Sequence, residues 1–235
     1  MYLSPSVLQL IIVLAPDWES SNGYLYRFKR HSAADDWHKV GSAIHAFLGK
    51  NGLAWGRGEF FLEEEPLLKK EEGDLKTPAG VFKLGSLFGL SQNQTLISPK
   101  MSFIEIDEHL VCVDDPKSKY YNRLIYRNQV DDIDWQSSEE MFLMKDLYDL
   151  GLVIEHNIDP TVPNCGSAIF MHKASIHDPY TKGCIALKDH DLVKVLSWIE
   201  DKAHPRIVQL PKNEYKKRIE DWGLPEIDDF KLTIS

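Results

Sequence analysis

The chain has no apolar run long enough to cross a membrane, no CxxC pair, and no stripe of lysine or arginine. Its longest nearly apolar run, Val7 to Ala15, falls far short of the roughly 20 residues a spanning helix needs. No basic residues precede that run, no small-residue cleavage site follows it, and Pro16-Asp17-Trp18 behind it reads as a strand-ending turn. We therefore read it as a first strand, with no signal peptide and no membrane span expected in this chain. The cysteines are only three, Cys112, Cys165 and Cys184, so any disulfide scheme leaves at least one thiol free. Without a CxxC pair the common zinc and redox motifs are excluded as well. Lys and Arg number 27 against 36 Asp and Glu, for a net charge of -9. The surplus is spread over short patches such as Glu63-Glu64-Glu65 and Glu71-Glu72. No face is cationic enough to neutralise a phosphate backbone, so nucleic acid is not an expected partner. An acidic balance suits solubility and equally suits amine-bearing substrates.

What the chain does have is core material: 235 residues, 43% apolar and 11% aromatic, with no repeat, low-complexity linker or abrupt change of composition. Short β-rich segments fill the first half, at 8–14, 23–30, 80–84, 103–106 and 109–113, most of them separated by Gly, Pro, Asn or Asp. Helical spacing of Met141, Leu143, Met144, Leu147 and Leu150, with Ser137 or Ser138 to cap and Gly151 to stop, predicts a helix over 138–150. Leu192, Val195, Leu196 and Ile199 predict a second over 189–202, ended by Pro205. The charged tail from Lys212 reads as a surface helix and an extended end. The expected fold is mainly β, a sandwich or flattened barrel with two or three peripheral helices. One domain spanning 8–211 with a charged extension over 212–235 is the expected organisation, and a monomer the expected state.

The stretch GSAIFMHKASIHDPYTKGCIAL, Gly166 to Leu187, joins two apolar runs through a polar loop. Ala168 to Met171 reads as a buried strand with His172 at its mouth, and Tyr180 to Lys182 as the loop that delivers Gly183-Cys184 to the next strand. Twelve positions separate the histidine from the cysteine, enough for the chain to double back and set imidazole beside thiol. A free thiol ionises near pH 8.5, so a histidine or a positive dipole must favour thiolate if Cys184 is a nucleophile. His172 would then return a proton to a departing amine, and Gly183 would let backbone N–H groups approach an oxyanion. Acyl transfer is the chemistry such a set suits. Two other readings stay open on residue types alone. One is ordinary packing of a buried cysteine beside a histidine. The other is a metal site from Cys165, His172, His177 and Cys184, although their spacing matches no common zinc motif.

The pair of segments Gly166-Ser-Ala-Ile-Phe-Met-His172 and Thr181-Lys-Gly-Cys184-Ile-Ala-Leu187 resembles the catalytic signature of the L,D-transpeptidase (YkuD-like) family. Three further stretches, at 51–56 (NGLAWG), 72–82 (EGDLKTPAGVF) and 114–122 (DDPKSKYYN), resemble accompanying motifs in the same order. Many members carry a second histidine where this chain has Lys182, and an arginine or asparagine where it has Ala186. Those departures bear on substrate anchoring and thiolate tuning, and Lys182 keeps a positive charge beside the nucleophile.

The resemblance implies a cysteine-dependent acyltransferase of cell-wall biogenesis and cell shape that acts on peptidoglycan stem peptides. It implies Cys184 as nucleophile, His172 as base and then acid, Gly183 as part of the catalytic turn, and the Lys173 carbonyl as the group that orients the imidazole. Thr181, Lys182, Tyr121 and Asn122 are the expected substrate-side residues, and neither a metal nor a cofactor is expected. An L,D-carboxypeptidase, with water as acceptor, and a catalytically silent peptidoglycan-binding domain are the alternatives. The substrate implies a place in the bacterial periplasm or cell envelope.

Overall fold

The computed structural model describes residues 2–60 and 68–227. The Glu63 to Glu65 patch and the extended end expected beyond residue 227 lie outside them. The strands in chain order are β1 (Gln9–Ala15), β2 (Asn22–Lys29), β3 (His38–Lys39), β4 (Ile44–Phe47), β5 (Leu53–Trp55), β6 (Thr77–Gly89) and β7 (Phe103–Glu105). They continue with β8 (Leu110–Val113), β9 (Arg123–Tyr126), β10 (Ser138–Glu140), β11 (Leu150–Ile154), β12 (Phe170–Lys173), β13 (Ile185–Leu187) and β14 (Arg206–Pro211). Three α-helices accompany them, α1 (Lys145–Tyr148), α2 (Asp189–Leu196) and α3 (Lys212–Trp222).

The fold is mainly β, and its main sheet closes on itself. The hydrogen-bonded order β1-β14-β6-β11-β12-β13-β4-β2 returns to β1, which pairs antiparallel with β2. Closure leaves no free edge in this ring of strands, the usual reason a barrel outlasts an open sheet of the same strands. The run Gln9–Ala15 is buried at every position because β2 and β14 flank it and both of its faces are covered. Gln9, the polar residue in that run, donates from Nε2 to the Trp198 carbonyl and accepts the Glu200 N–H at Oε1 (2.9 and 2.8 Å). The interior is aliphatic and aromatic, with Ile11, Val13, Phe82, Leu152, Met171 and Ile185 among its residues, and α2 and α3 add Leu192, Tyr215 and Trp222 to the same core.

A separate three-stranded sheet, β10-β8-β9, lies against the outside of this barrel. The layer between them is a second, smaller apolar cluster that includes Phe88, Cys112, Met141, Tyr148, Phe170 and Cys184. This small sheet overturns the helix expected over 138–150. Ser138–Glu140 instead pairs antiparallel with Val111–Val113, α1 is confined to one turn, and Leu150 starts β11. Met141 is buried as expected, whereas Leu143 is 78% exposed, because the chain turns here and shows no continuous helical face. Gly151 is not a helix stop; a Cβ there would stand 2.3 Å from the Phe88 ring, so glycine lets that ring pack directly on β11. The second predicted helix ends early, at Leu196, and Asp201–Ala203 forms a separate 3-10 turn before β14.

Candidate active site

β12 and β13 run parallel, with Met171 beside Ile185 and His172 beside Ala186. Side chains alternate along a strand, so His172 shares its face with Phe170, and Cys184 shares its face with Ala186. Imidazole and thiol are therefore diagonal neighbours on one face of adjacent strands. The alternate residues Ile169, Met171, Ile185 and Leu187 point into the barrel, which leaves His172 and Cys184 on its outer surface against the small sheet. His172 does not sit at the mouth of its strand, as the sequence suggested; it lies within β12. Both side chains are nearly covered, His172 at 6% and Cys184 at 8% exposure.

The loop that delivers Cys184 is closed by Thr181. Its backbone N–H donates to the Leu48 carbonyl and its carbonyl accepts from Lys50 (2.7 and 2.9 Å). Its hydroxyl donates to the Cys184 carbonyl at 2.7 Å and accepts the Gly183 N–H at 3.1 Å. Thr77 donates to the same Cys184 carbonyl at 3.3 Å, so the backbone of Cys184 is held from two sides. Gly183 has φ +142, and a Cβ on it would come within 3.0 Å of the Lys76 carbonyl. Glycine is thus required by backbone conformation and by close approach. Its own N–H is committed to Thr181, so an oxyanion donor at this position would have to exchange that bond.

The thiol itself sits between two backbone groups. Phe170 N–H donates to Sγ and the S–H donates to the Ala168 carbonyl, each at 3.3 Å. Proton transfer to His172 therefore requires the S–H to rotate away from that carbonyl; nucleophile–base contacts of this kind commonly tighten only with substrate bound. On the other side, His172 Nδ1 is 2.7 Å from the Lys173 carbonyl. A carbonyl only accepts, so Nδ1 carries the proton and Nε2 keeps its lone pair. Burial pushes the imidazole down to about 4, with the Lys173 bond acting in the opposite sense. Burial and then the Glu139 charge push the thiol up to about 12, against the Phe170 N–H and Lys70. At neutral pH the pair rests as thiol and neutral imidazole. The sequence-level expectation of a histidine-stabilised thiolate is corrected accordingly: in so buried a place the desolvation of two charges outweighs their mutual attraction.

Among the expected substrate-side residues, Lys182 is exposed and the other three are buried in the scaffold. Asn122, in left-handed backbone at φ +62, donates from Nδ2 to the His156 and Asn157 carbonyls at 2.9 Å each. Its Oδ1 accepts the Ala168 N–H at 3.1 Å, which fixes the residue whose carbonyl receives the thiol proton. Tyr121 donates its hydroxyl to Glu72, whose carboxylate also accepts from Ser167 at 2.7 Å. Burial and the Glu72 carboxylate raise the Tyr121 phenol far above its ordinary range. Thr181, Tyr121 and Asn122 thus have their polar groups engaged by the chain itself. The bonds of Asn122 and Thr181 brace the segments that carry Ala168 and Cys184.

Buried Lys70, paired with Asp74 at 2.5 Å, is a cation that acts on the thiol in the direction of thiolate, after the Phe170 N–H. Tyr148 and Glu139 were missed altogether, because both were read into a helix that does not form. His177 is exposed in the loop between the two strands. Among the described residues no three His, Cys, Asp or Glu side chains are grouped to hold a metal ion, so Cys165, His172, His177 and Cys184 do not converge as a zinc site would require. The family model described as the L,D-transpeptidase catalytic domain (YkuD) matches residues 29–209, a span that contains every group named in this site. No match emerges among curated proteins or among solved structures.

Proposed function

The chain belongs to the L,D-transpeptidase catalytic domain family, and from that premise we propose that it is a cysteine-dependent acyltransferase acting on peptidoglycan stem peptides. The observation that carries the reading is the placement of Cys184 and His172 on one face of adjacent parallel strands, with Nδ1 pinned to the Lys173 carbonyl and Nε2 left as a base. In the first half-reaction Nε2 takes the thiol proton as Sγ adds to the carbonyl of an L-centred residue. The tetrahedral intermediate collapses, the bond to the terminal D-alanine breaks, and the imidazolium gives its proton to that departing amine. A thioester on Cys184 remains. In the second half-reaction an amine from another stem peptide attacks the thioester, His172 takes the amine's proton, and the same proton returns to the leaving thiolate.

A neutral resting pair suits this sequence of events. The charges appear only as the S–C bond forms, in a dry site where fixed dipoles act strongly. Lys182, exposed beside the nucleophile, is the substrate-side residue free to meet a peptide. A peptidoglycan substrate supports a place of action in the bacterial periplasm or cell envelope.

The test is incubation of the protein and of Cys184→Ala with a stem tetrapeptide muropeptide, with products resolved by mass spectrometry. A cysteine-dependent dimer that has lost one D-alanine is the expected result. A tripeptide alone would make water the acceptor and the enzyme an L,D-carboxypeptidase, and turnover retained by Cys184→Ala would overturn the assignment.

A further inference from the structure

We propose that Glu139 and Tyr148 are positioning residues for His172: a carboxylate–phenol pair that fixes the imidazole ring and sets a negative charge beside the Cys184 thiol. The proposal rests on the assignment of those two residues as base and nucleophile. Tyr148 is 4% exposed and lies among three rings, with centroids 5.2 Å from His172, 5.7 Å from Phe170 and 5.9 Å from Phe88, all near perpendicular. Its hydroxyl donates to Glu139 Oε2 at 2.5 Å. A ring packed on its edges and tethered at its hydroxyl by a bond to a carboxylate has little freedom to turn. The imidazole that meets it edge-on is held in one rotamer from that side, as the Lys173 carbonyl holds it from the other.

The two members come from different layers. Tyr148 ends α1 and packs on β12, whereas Glu139 is the middle residue of β10, opposite Cys112 of β8. The small sheet therefore delivers a carboxylate to a catalytic face that belongs to the barrel. Its charge is only partly compensated. Burial above all raises the Glu139 carboxyl above the usual carboxylate range; the Tyr148 hydroxyl bond opposes this and favours the anion, Asp114 and Glu72 add to the rise, and Lys182 counters it. The thiols it acts on are Cys184 and the wholly buried Cys112, both kept protonated first by burial and then by its charge. Lys70 is the cation that opposes Glu139 at Cys184.

This arrangement makes two effects run in opposite directions. Loss of the Glu139 charge stabilises thiolate, so Cys184 should ionise more readily, while loss of the tether frees the imidazole and slows turnover. A residue that merely held the fold together would impair reactivity and turnover alike.

The experiment follows the rate of Cys184 alkylation by iodoacetamide between pH 7 and 11, read on the Cys184 peptide by mass spectrometry, in the full chain and in Glu139→Gln and Tyr148→Phe. This range lies below the thiol's midpoint, where the rate tracks the thiolate fraction and a shift of midpoint is read as a parallel displacement of log rate against pH. For Glu139→Gln the alkylation midpoint should fall by about one pH unit, equivalent to about tenfold more thiolate below the midpoint. On the stem tetrapeptide its kcat should fall about tenfold with KM nearly unchanged. Tyr148→Phe keeps the ring and loses only the tether, so it should lower kcat about threefold without lowering the midpoint, and it serves if Glu139→Gln folds poorly. A midpoint that stays or rises in Glu139→Gln, or kcat unchanged in both variants, overturns the proposal. An inactive parent protein would count against the acyltransfer reading alone, since the alkylation midpoint decides the role of Glu139 without turnover.

Discussion

Two buried histidines in this molecule share a residue type and a degree of burial and differ in what they can do. His156 is 1% exposed and accepts the Arg57 N–H at Nδ1 (3.2 Å), which makes Nε2 the donor to the Cys165 carbonyl (2.9 Å). His172 is 6% exposed and makes one such bond, from Nδ1 to the Lys173 carbonyl. Burial keeps both neutral, pushing the first down to about 3 and the second to about 4. What would let His172 act as the proposed base, where His156 cannot, is its uncommitted nitrogen, with the Cys184 thiol just ahead of the neighbouring strand. The surroundings repeat the contrast. Around His156, the amides of Asn122 and Asn157 are spent on backbone partners, Asn157 donating to the Val162 and Gly166 carbonyls. Around His172 stand aromatic edges and a carboxylate held by a single phenol.

The largest test of that comparison is to remove each imidazole. His172→Gln should lose about 10²–10⁴ of turnover, the usual worth of a positioned acid–base group, and melt close to the parent. His156→Ala should do the reverse, losing about 2–4 kcal/mol by stranding the Arg57 N–H and Cys165 carbonyl, with turnover per folded molecule retained. Steady-state kinetics beside denaturant titration separate the two, and matching losses in both variants would erase the distinction.

Gly183→Ala comes next. Positive φ and contact with the Lys76 carbonyl should cost about 1–3 kcal/mol and displace Cys184, lowering kcat more than it raises KM. Unaltered kinetics would show that the catalytic turn tolerates a side chain.

The pH dependence sharpens the comparison further. Unfolded histidine takes up a proton near pH 6.5, whereas the folded His156 and His172 resist it until about 3 and 4. Below pH 6.5 the unfolded state binds more protons, so stability should fall with acidity by up to about 1.4 kcal/mol per pH unit for each group. The contribution of His172 should level off near pH 4, and His172→Gln should remove it from an acid-unfolding series. For turnover, a base near 4 and a thiol near 12 predict kcat/KM flat between about pH 5 and 10 as far as these two groups govern it. A limb near pH 6.5 would instead indicate that His172 titrates like an unburied imidazole. The smallest expected effect is that of Lys182→Ala: an exposed charge at the site should change KM by a few-fold at most and leave kcat in place.

Much of this was legible in the chain. Apolar runs such as Gln9–Ala15, with turn residues between them, announce short buried strands, and the ordered pieces around His172 and Cys184 announce the family. The loop between those residues fixes their separation, and the glycine at 183 announces close backbone approach; its positive φ emerges only from the structure. The segment 138–150 was misread because Met141, Leu143, Met144, Leu147 and Leu150 fit a helical period, and the competing interaction is not local. Glu139 faces Cys112 from a strand 27 positions away in the chain, and no window along the sequence contains both. The intrachain bonds of Asn122 and Thr181 were not legible for a related reason: a polar side chain in a loop looks the same whether or not it meets the chain's own backbone.

The sequence by itself determined a mainly β chain with an apolar interior, a free thiol following a histidine by twelve positions, and a glycine where the turn into Cys184 demands one. Those properties follow from alternation, burial preference and backbone sterics, which act between near neighbours. Only the tertiary structure decided that burial keeps the thiol and imidazole uncharged, that Glu139 and Lys70 act in opposite senses on the thiol, and that His156 has no nitrogen to spare. Desolvation and Coulomb interactions depend on distance in space, and those distances exist only once the barrel has closed and the small sheet has docked on it.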